Sequence, residues 1–157
     1  MQIQAIYLYN SFGEVRSLNF KLGEVNIITG RSGTGKSAII SIIEYCLGRS
    51  IYNVPDSEYF DSVAWFAVLY KIKDMDVFIA KPRPEKGYQS QSNAFFKMGQ
   101  KLIVPSLDQL SLNTTDKAIV QELSLLLGFS PNLHELGENE SRIALEANLK
   151  HTRLYLF

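Results

Sequence analysis

In "VNIITGRSGTGKSAIISIIEYCLG", residues 25–48, an apolar run stops at a glycine and a Gly/Ser/Thr loop ends in Lys-Ser. The chain then turns apolar again at helical spacing. Gly30, Gly35, Lys36 and Ser37 satisfy G-x-x-x-x-G-K-[ST], the Walker A pattern. A polyphosphate needs several backbone N–H groups aimed at one point. That demands backbone angles which Gly30, Gly33 and Gly35 reach at no steric cost. The loop should open a helix, whose first N–H groups and dipole favour an anion. The expected phosphate cradle is therefore Gly30, Arg31, Ser32, Gly33, Thr34, Gly35, Lys36 and Ser37. Lys36 is expected to bridge the β- and γ-phosphates and the Ser37 hydroxyl to ligate Mg²⁺, with ATP and Mg²⁺ as the cofactors.

Working outward, "IQAIYLY" (3–9), "VRSLNFKL" (15–22) and "VNIIT" (25–29) read as strands, with a turn at "LGE" between the last two. The helix after the loop, residues 35–47, is apolar on nearly every face and should be buried on most sides, stopping at Gly48. "RSIYNVPDSEYFD" (49–61) is a polar loop. "SVAWFAVLYKI" (62–72) and "DVFIAKP" (76–82) form an antiparallel hairpin through "KDMD". After the loop "EKGYQSQSN" (85–93), "AFFKMGQKLIVP" (94–105) should be a second hairpin, turning at Gly99. "TTDKAIVQELSLLLGF" (114–129) is an amphipathic helix with Thr114 or Thr115 as its cap and Gly128 at its end. A further helix is expected near 141–150, and "TRLYLF" (152–157) reads as β-rich. No repeat or linker splits the chain, so residues 1–157 are expected to form one α/β domain. Two strands before the loop and antiparallel hairpins after the helix suggest a mixed sheet capped by an antiparallel layer. A metabolite kinase, by contrast, alternates strands and helices around a parallel sheet.

"LNFKLGEVNIITGRSGTGKSAIISIIEYCLG" (18–48) resembles the N-terminal lobe of ABC-type ATPase heads in the SMC, recombination-repair and related families. It is also similar to bacterial ATP-binding families with SMC-like heads. The likeness runs more loosely through the 62–84 strands and "AIVQELSLLLGFSP" (118–131), which is similar to the helix before the Q-loop. Arg31 and Ser32 depart from the Pro-Asn typical of SMC heads, and no basic residue stands beside Phe12. The resemblance implies a P-loop NTPase fold, with a mixed sheet, an antiparallel β subdomain and few helices. It implies ATP-driven engagement of a second head and a C-terminal half of the same protein as partners. The acidic Walker B pair and the signature motif of such heads are missing from the sequence, and the apolar ending "RLYLF" suggests an N-terminal piece of a longer protein. On this reading the chain binds nucleotide and contributes no catalytic side chain of its own. A small P-loop kinase and a non-catalytic nucleotide-gated module are the rival readings.

The 157 residues carry 16 basic and 16 acidic side chains, so no net field draws in nucleic acid or an anionic membrane. The single cysteine, Cys46, fits a reducing cytoplasm and a buried helical position, and no apolar run is long enough to span a bilayer. His134 and His151 are too far apart to suggest a metal site. Lys81, Arg83, Lys86, Lys97 and Lys101, against Glu85 alone, make a basic stretch: a solvated loop or a weak nucleic-acid contact. Tyr9 and Phe12 are either core and surface aromatics or an adenine platform. Trp65 reads as core, and Asp108 as a loop residue.

Overall fold

The computed structural model describes residues 1–55 and 58–129. The helix expected near 141–150, the "TRLYLF" segment, His134 and His151 lie outside these described residues.

Strand β1 (Gln2–Asn10) turns into β2 (Val15–Asn19) through a loop held by Asn10. The Asn10 side-chain oxygen accepts from Phe12 N (3.0 Å) and Glu14 N (2.8 Å), a local substitute for ladder bonds. Helix α1 (Lys36–Cys46) follows the glycine loop, and α2 (Glu58–Asp61) is one short turn. Strands β3 (Val63–Ile72) and β4 (Met75–Pro82) form the expected hairpin. Lys73 takes a left-handed φ of 53° at its tip, as a two-residue turn matching strand twist requires. Strand β5 (Asn93–Gly99), a two-residue β6 (Thr114–Thr115) and helix α3 (Asp116–Leu127) complete the order. Thr115 caps α3, accepting from Ala118 N, and Gly128 ends it with φ 84°.

The sheet runs β2-β1-β3-β4-β5-β6, and every recorded pairing is antiparallel. Alternation along each central strand sends side chains to two buried faces. Ile6, Phe66, Val68, Tyr70, Val77, Ile79 and Ala94 meet α1 and α3 on one face. Tyr9, Ala67, Leu69, Phe78, Ala80 and Phe95 pack on the other, beneath Leu102, Val104, Leu107 and Leu110. Burial on both faces explains why "VAWFAVLY" and "DVFIA" are continuously apolar.

Two expectations are corrected. First, residues 25–29 join no ladder, so the expected mixed sheet is not formed among the described residues: it is antiparallel throughout. Asn26 accounts for this locally. Its side chain accepts from Lys21 N and donates to Lys21 O and Glu24 O, tying up the turn that would otherwise zip onto β2. Val25 (90% exposed) and Ile27 (82%) are left in solvent. Second, "AFFKMGQKLIVP" is one strand, not a hairpin. Beyond Gly99 the chain passes under the sheet, where Asp76 Oδ2 accepts from Leu102 N and the Tyr9 hydroxyl donates to Pro105 O. Pro105 has no N–H to offer a returning strand. Helix α1 is buried on most sides as expected, with Ile40 (49% exposed) on its outer side.

At the far end of α1, Gly48 (φ 85°) lies against the start of α3. An added Cβ there would stand 2.8 Å from Asp116 O and 2.9 Å from Val120 Cγ2. Beneath this joint Lys81, fully buried, donates to Asp116 Oδ1 at 2.6 Å and to Arg49 O at 2.9 Å, with the Tyr45 ring 4.1 Å away. The two helices and β4 are thus locked at one point, which holds α1 with its N-terminus toward the glycine loop.

Candidate functional site

The glycine loop closes on itself at the mouth of α1. Gly33 (φ 81°) and Gly35 (φ 80°) both take left-handed backbone that other residues resist. Gly35 is the N-cap of α1, with no side-chain cap and no acid in the first turn, so the positive end of the helix dipole is not offset by its own side chains. Lys36 Nζ folds back to donate to Gly30 O (2.8 Å) and Arg31 O (2.6 Å). The Thr34 hydroxyl also donates to Arg31 O, at 2.8 Å. A Cβ on Gly30 would stand 3.0 Å from Thr34 Oγ1, so a side chain at the first glycine would press on the Thr34 hydroxyl. Arg31, Ser32 and Ser37 are exposed, with Ser37 in the first turn of α1. All eight residues singled out in the sequence therefore share one tight loop and helix start. The residues present fit a phosphate with its metal: a ring with glycine at its first, fourth and sixth positions, a bare helix N-terminus, an ammonium and a hydroxyl.

Beside this loop lies a cavity of about 630 Å³. Ile6, Leu8 and Leu18 of the β1–β2 ribbon and Ile39 and Ile42 of α1 form its apolar walls. Asn10, Glu14, Arg16 and Ser17 supply polar groups, and Gly30, Thr34, Gly35 and Lys36 close the loop side. Phe60 of α2 also lines it, with its ring 3.5 Å from where a Gly35 Cβ would stand. Asn10 Nδ2 donates to Glu14 Oε2 at 2.7 Å, which fixes the one carboxylate that the described residues give the lining. Apolar walls with a few convergent polar groups are the usual make-up of a small-molecule site.

The other sequence candidates fall elsewhere. Lys81 is buried in its ion pair and cannot reach a nucleic-acid phosphate. Arg83 Nη1 donates to Phe60 O at 3.0 Å and its guanidinium lies 5.9 Å from the Tyr52 ring centre. Lys86, Lys97 and Lys101 remain exposed, so the basic stretch is divided. Tyr9 is fully buried in the opposite face of the sheet, which removes it as a base platform; burial pushes its hydroxyl pKa up. Phe12, 89% exposed at the ribbon tip, does not line the cavity. Trp65 is half-buried, and Asp108 sits in an exposed 3₁₀ turn (Leu107–Gln109). Cys46 is buried as expected, and desolvation pushes its thiol up to about 12, so it is inert.

Sequence reading missed Phe60, Asn10, Glu14 and Arg16, because only the tertiary fold brings them to the loop. Among the described residues no cluster of His, Cys, Asp and Glu is placed to hold a metal by itself. No helix among them is long and apolar enough to cross a membrane. A family model described as "AAA domain" matches residues 8–101, spanning the ribbon, the glycine loop, α1 and strands β3 to β5. No curated protein and no solved structure matches the chain.

Proposed function

Because the chain belongs to the AAA domain family, whose class is the P-loop ATPases, we propose that it binds Mg-ATP through residues 30–37 as one lobe of an SMC-like ATPase head. The observation that carries this reading is the closed glycine ring opening directly onto an uncapped helix, with Lys36 drawn into it. On nucleotide entry the Lys36 ammonium exchanges its two carbonyl partners for phosphate oxygens. The amides from Gly33 to Ser37 would be the backbone donors to the phosphates, and Ser37 is the residue that would hold Mg²⁺, which neutralises phosphate charge when bound. The cavity walls beside the loop take the nucleoside.

Hydrolysis requires groups that the described residues do not supply. Among them Glu14, which lines the cavity, is engaged by Asn10, and Asp108 is exposed in the 3₁₀ turn on the far side of the sheet. We therefore assign the water-activating acid and the signature motif to a C-terminal half of the protein and to a second head. The exposed, ladder-free residues 25–29 support this partnership, because Val25, Ile27 and Ile28 lie in solvent, where a partner could cover them. A metabolite kinase is not favoured, since no strand pair among the described residues is parallel.

Equilibrium binding of a fluorescent ATP analogue tests the assignment. The unaltered chain should bind it in Mg²⁺, and Lys36→Ala should lose binding by tenfold or more, about 1.4 kcal/mol. Gly35→Val should lose it too, since valine resists φ 80° and its side chain would press on Phe60. Equal affinity in all three would sink the proposal.

A further inference from the structure

The ribbon side of the cavity carries a cation that the Walker A pattern does not include. Arg16 lies on β2 opposite Leu8 of β1, and it lines the same cavity as Lys36. Among the described residues Arg16 and Lys36 are the two cations of that lining, and they approach it from different elements. Lys36 is held by two loop carbonyls, whereas the Arg16 side chain makes no hydrogen bond or ion pair among the described residues. Glu14, the carboxylate nearest in sequence, is turned to Asn10.

We propose that Arg16 is a second phosphate-binding residue of the nucleotide site, gripping the triphosphate from the ribbon while Lys36 holds it from the loop. This rests on the nucleotide-binding reading above and adds to it a contact on a different element. A guanidinium offers paired N–H groups that match two phosphate oxygens at once, and it keeps its charge at every physiological pH. Since it has no partner to give up, little is lost when it turns to the ligand, and a triphosphate carries more negative charge than one lysine offsets. The contact would also tie the β1–β2 ribbon to α1 across the cavity whenever nucleotide is bound.

The experiment is equilibrium binding of Mg-ATP and of inorganic tripolyphosphate to the full chain, to Arg16→Gln, to Arg16→Lys and to Lys36→Ala. Arg16→Gln should weaken both ligands by about 10-fold or more, the range for a hydrogen bond to a charged group. Arg16→Lys should recover part of the loss, a response that a purely structural role would not give. Because Arg16 is exposed on an edge strand, thermal unfolding of Arg16→Gln should match that of the unaltered chain. If Arg16→Gln binds both ligands normally while Lys36→Ala does not, Arg16 has no part in the site and the loop assignment stands. If Arg16→Gln loses ATP but keeps tripolyphosphate, Arg16 serves the nucleoside and the phosphate contact is overturned. If the unaltered chain binds neither ligand, both readings fall together.

Discussion

Lys81 shows how far one residue's surroundings decide its role. In the sequence it belongs to a basic stretch; in the fold it is wholly enclosed between Asp116, Arg49 O and the Tyr45 ring. Removing one partner of a buried ion pair typically costs about 3–5 kcal/mol, while replacing both by apolar groups is often near neutral. Lys81→Met should therefore lower the unfolding free energy by about 3 kcal/mol in a urea titration, and Lys81→Met with Asp116→Leu should regain most of it. A single-variant loss below about 1 kcal/mol would mean the pair does not hold the helices together. Asp76 is the acid-sensitive counterpart. Burial raises its carboxyl pKa, but bonds from Lys71, Leu102 N and Gln4 outweigh that and hold it below the usual carboxylate range. A carboxyl depressed in the folded state adds stability above its unfolded value, about 3.9, and loses it as pH falls through the folded value. Thermal midpoints should thus drop below about pH 4 in the unaltered chain. Asp76→Asn should be less stable at pH 7 and show a flatter acid limb.

Among elements, the joint between α1 and α3 is a close one at Gly48. Gly48 permits it through φ 85° and the lack of a Cβ, which would meet Asp116 O at 2.8 Å. The obstacle is backbone, which cannot rotate aside as a side-chain tip does. Gly48→Ala should destabilise by about 1–3 kcal/mol, the usual cost of overpacking, and a neutral result would show that the helices separate freely. Elements whose cause is local could be read from the sequence. Thr115 and Gly128 bracket α3, Gly35 and Gly48 bracket α1, and the short "KDMD" turn closes β3 on β4. Elements whose cause is distant could not. Leu102, Val104, Leu107 and Leu110 are as apolar as a strand, and only Tyr9, Asp76 and the underside of the sheet turn them into a cover. The site divides in the same way. The glycine ring follows from eight consecutive residues, whereas Arg16, Glu14 and Phe60 reach it through the β1–β2 register and the placement of α2.

At the scale of the whole molecule, a sheet buried on both faces stands next to an apolar segment with no ladder. Residues 25–29 read as a strand from their β-rich composition, and Val25, Ile27 and Ile28 would need cover that the antiparallel sheet does not offer. Instead Val25 and Ile27 are almost fully exposed, and Leu22, Ile28 and Ile40 are each more than two-fifths exposed. Apolar side chains already in water contribute little to folding, yet they offer a surface for association. Replacing Val25 and Ile27 together by Ser should therefore leave the unfolding free energy within about 0.5 kcal/mol of the unaltered chain. The same variant should bind less of a hydrophobic dye such as ANS and stay monomeric to higher concentration in light scattering. It should also retain ATP-analogue affinity, because neither side chain lines the nucleotide cavity. A fall of several degrees in the thermal midpoint would contradict the exposure on which the partnership rests, since it would place both residues inside the folded core of the isolated chain.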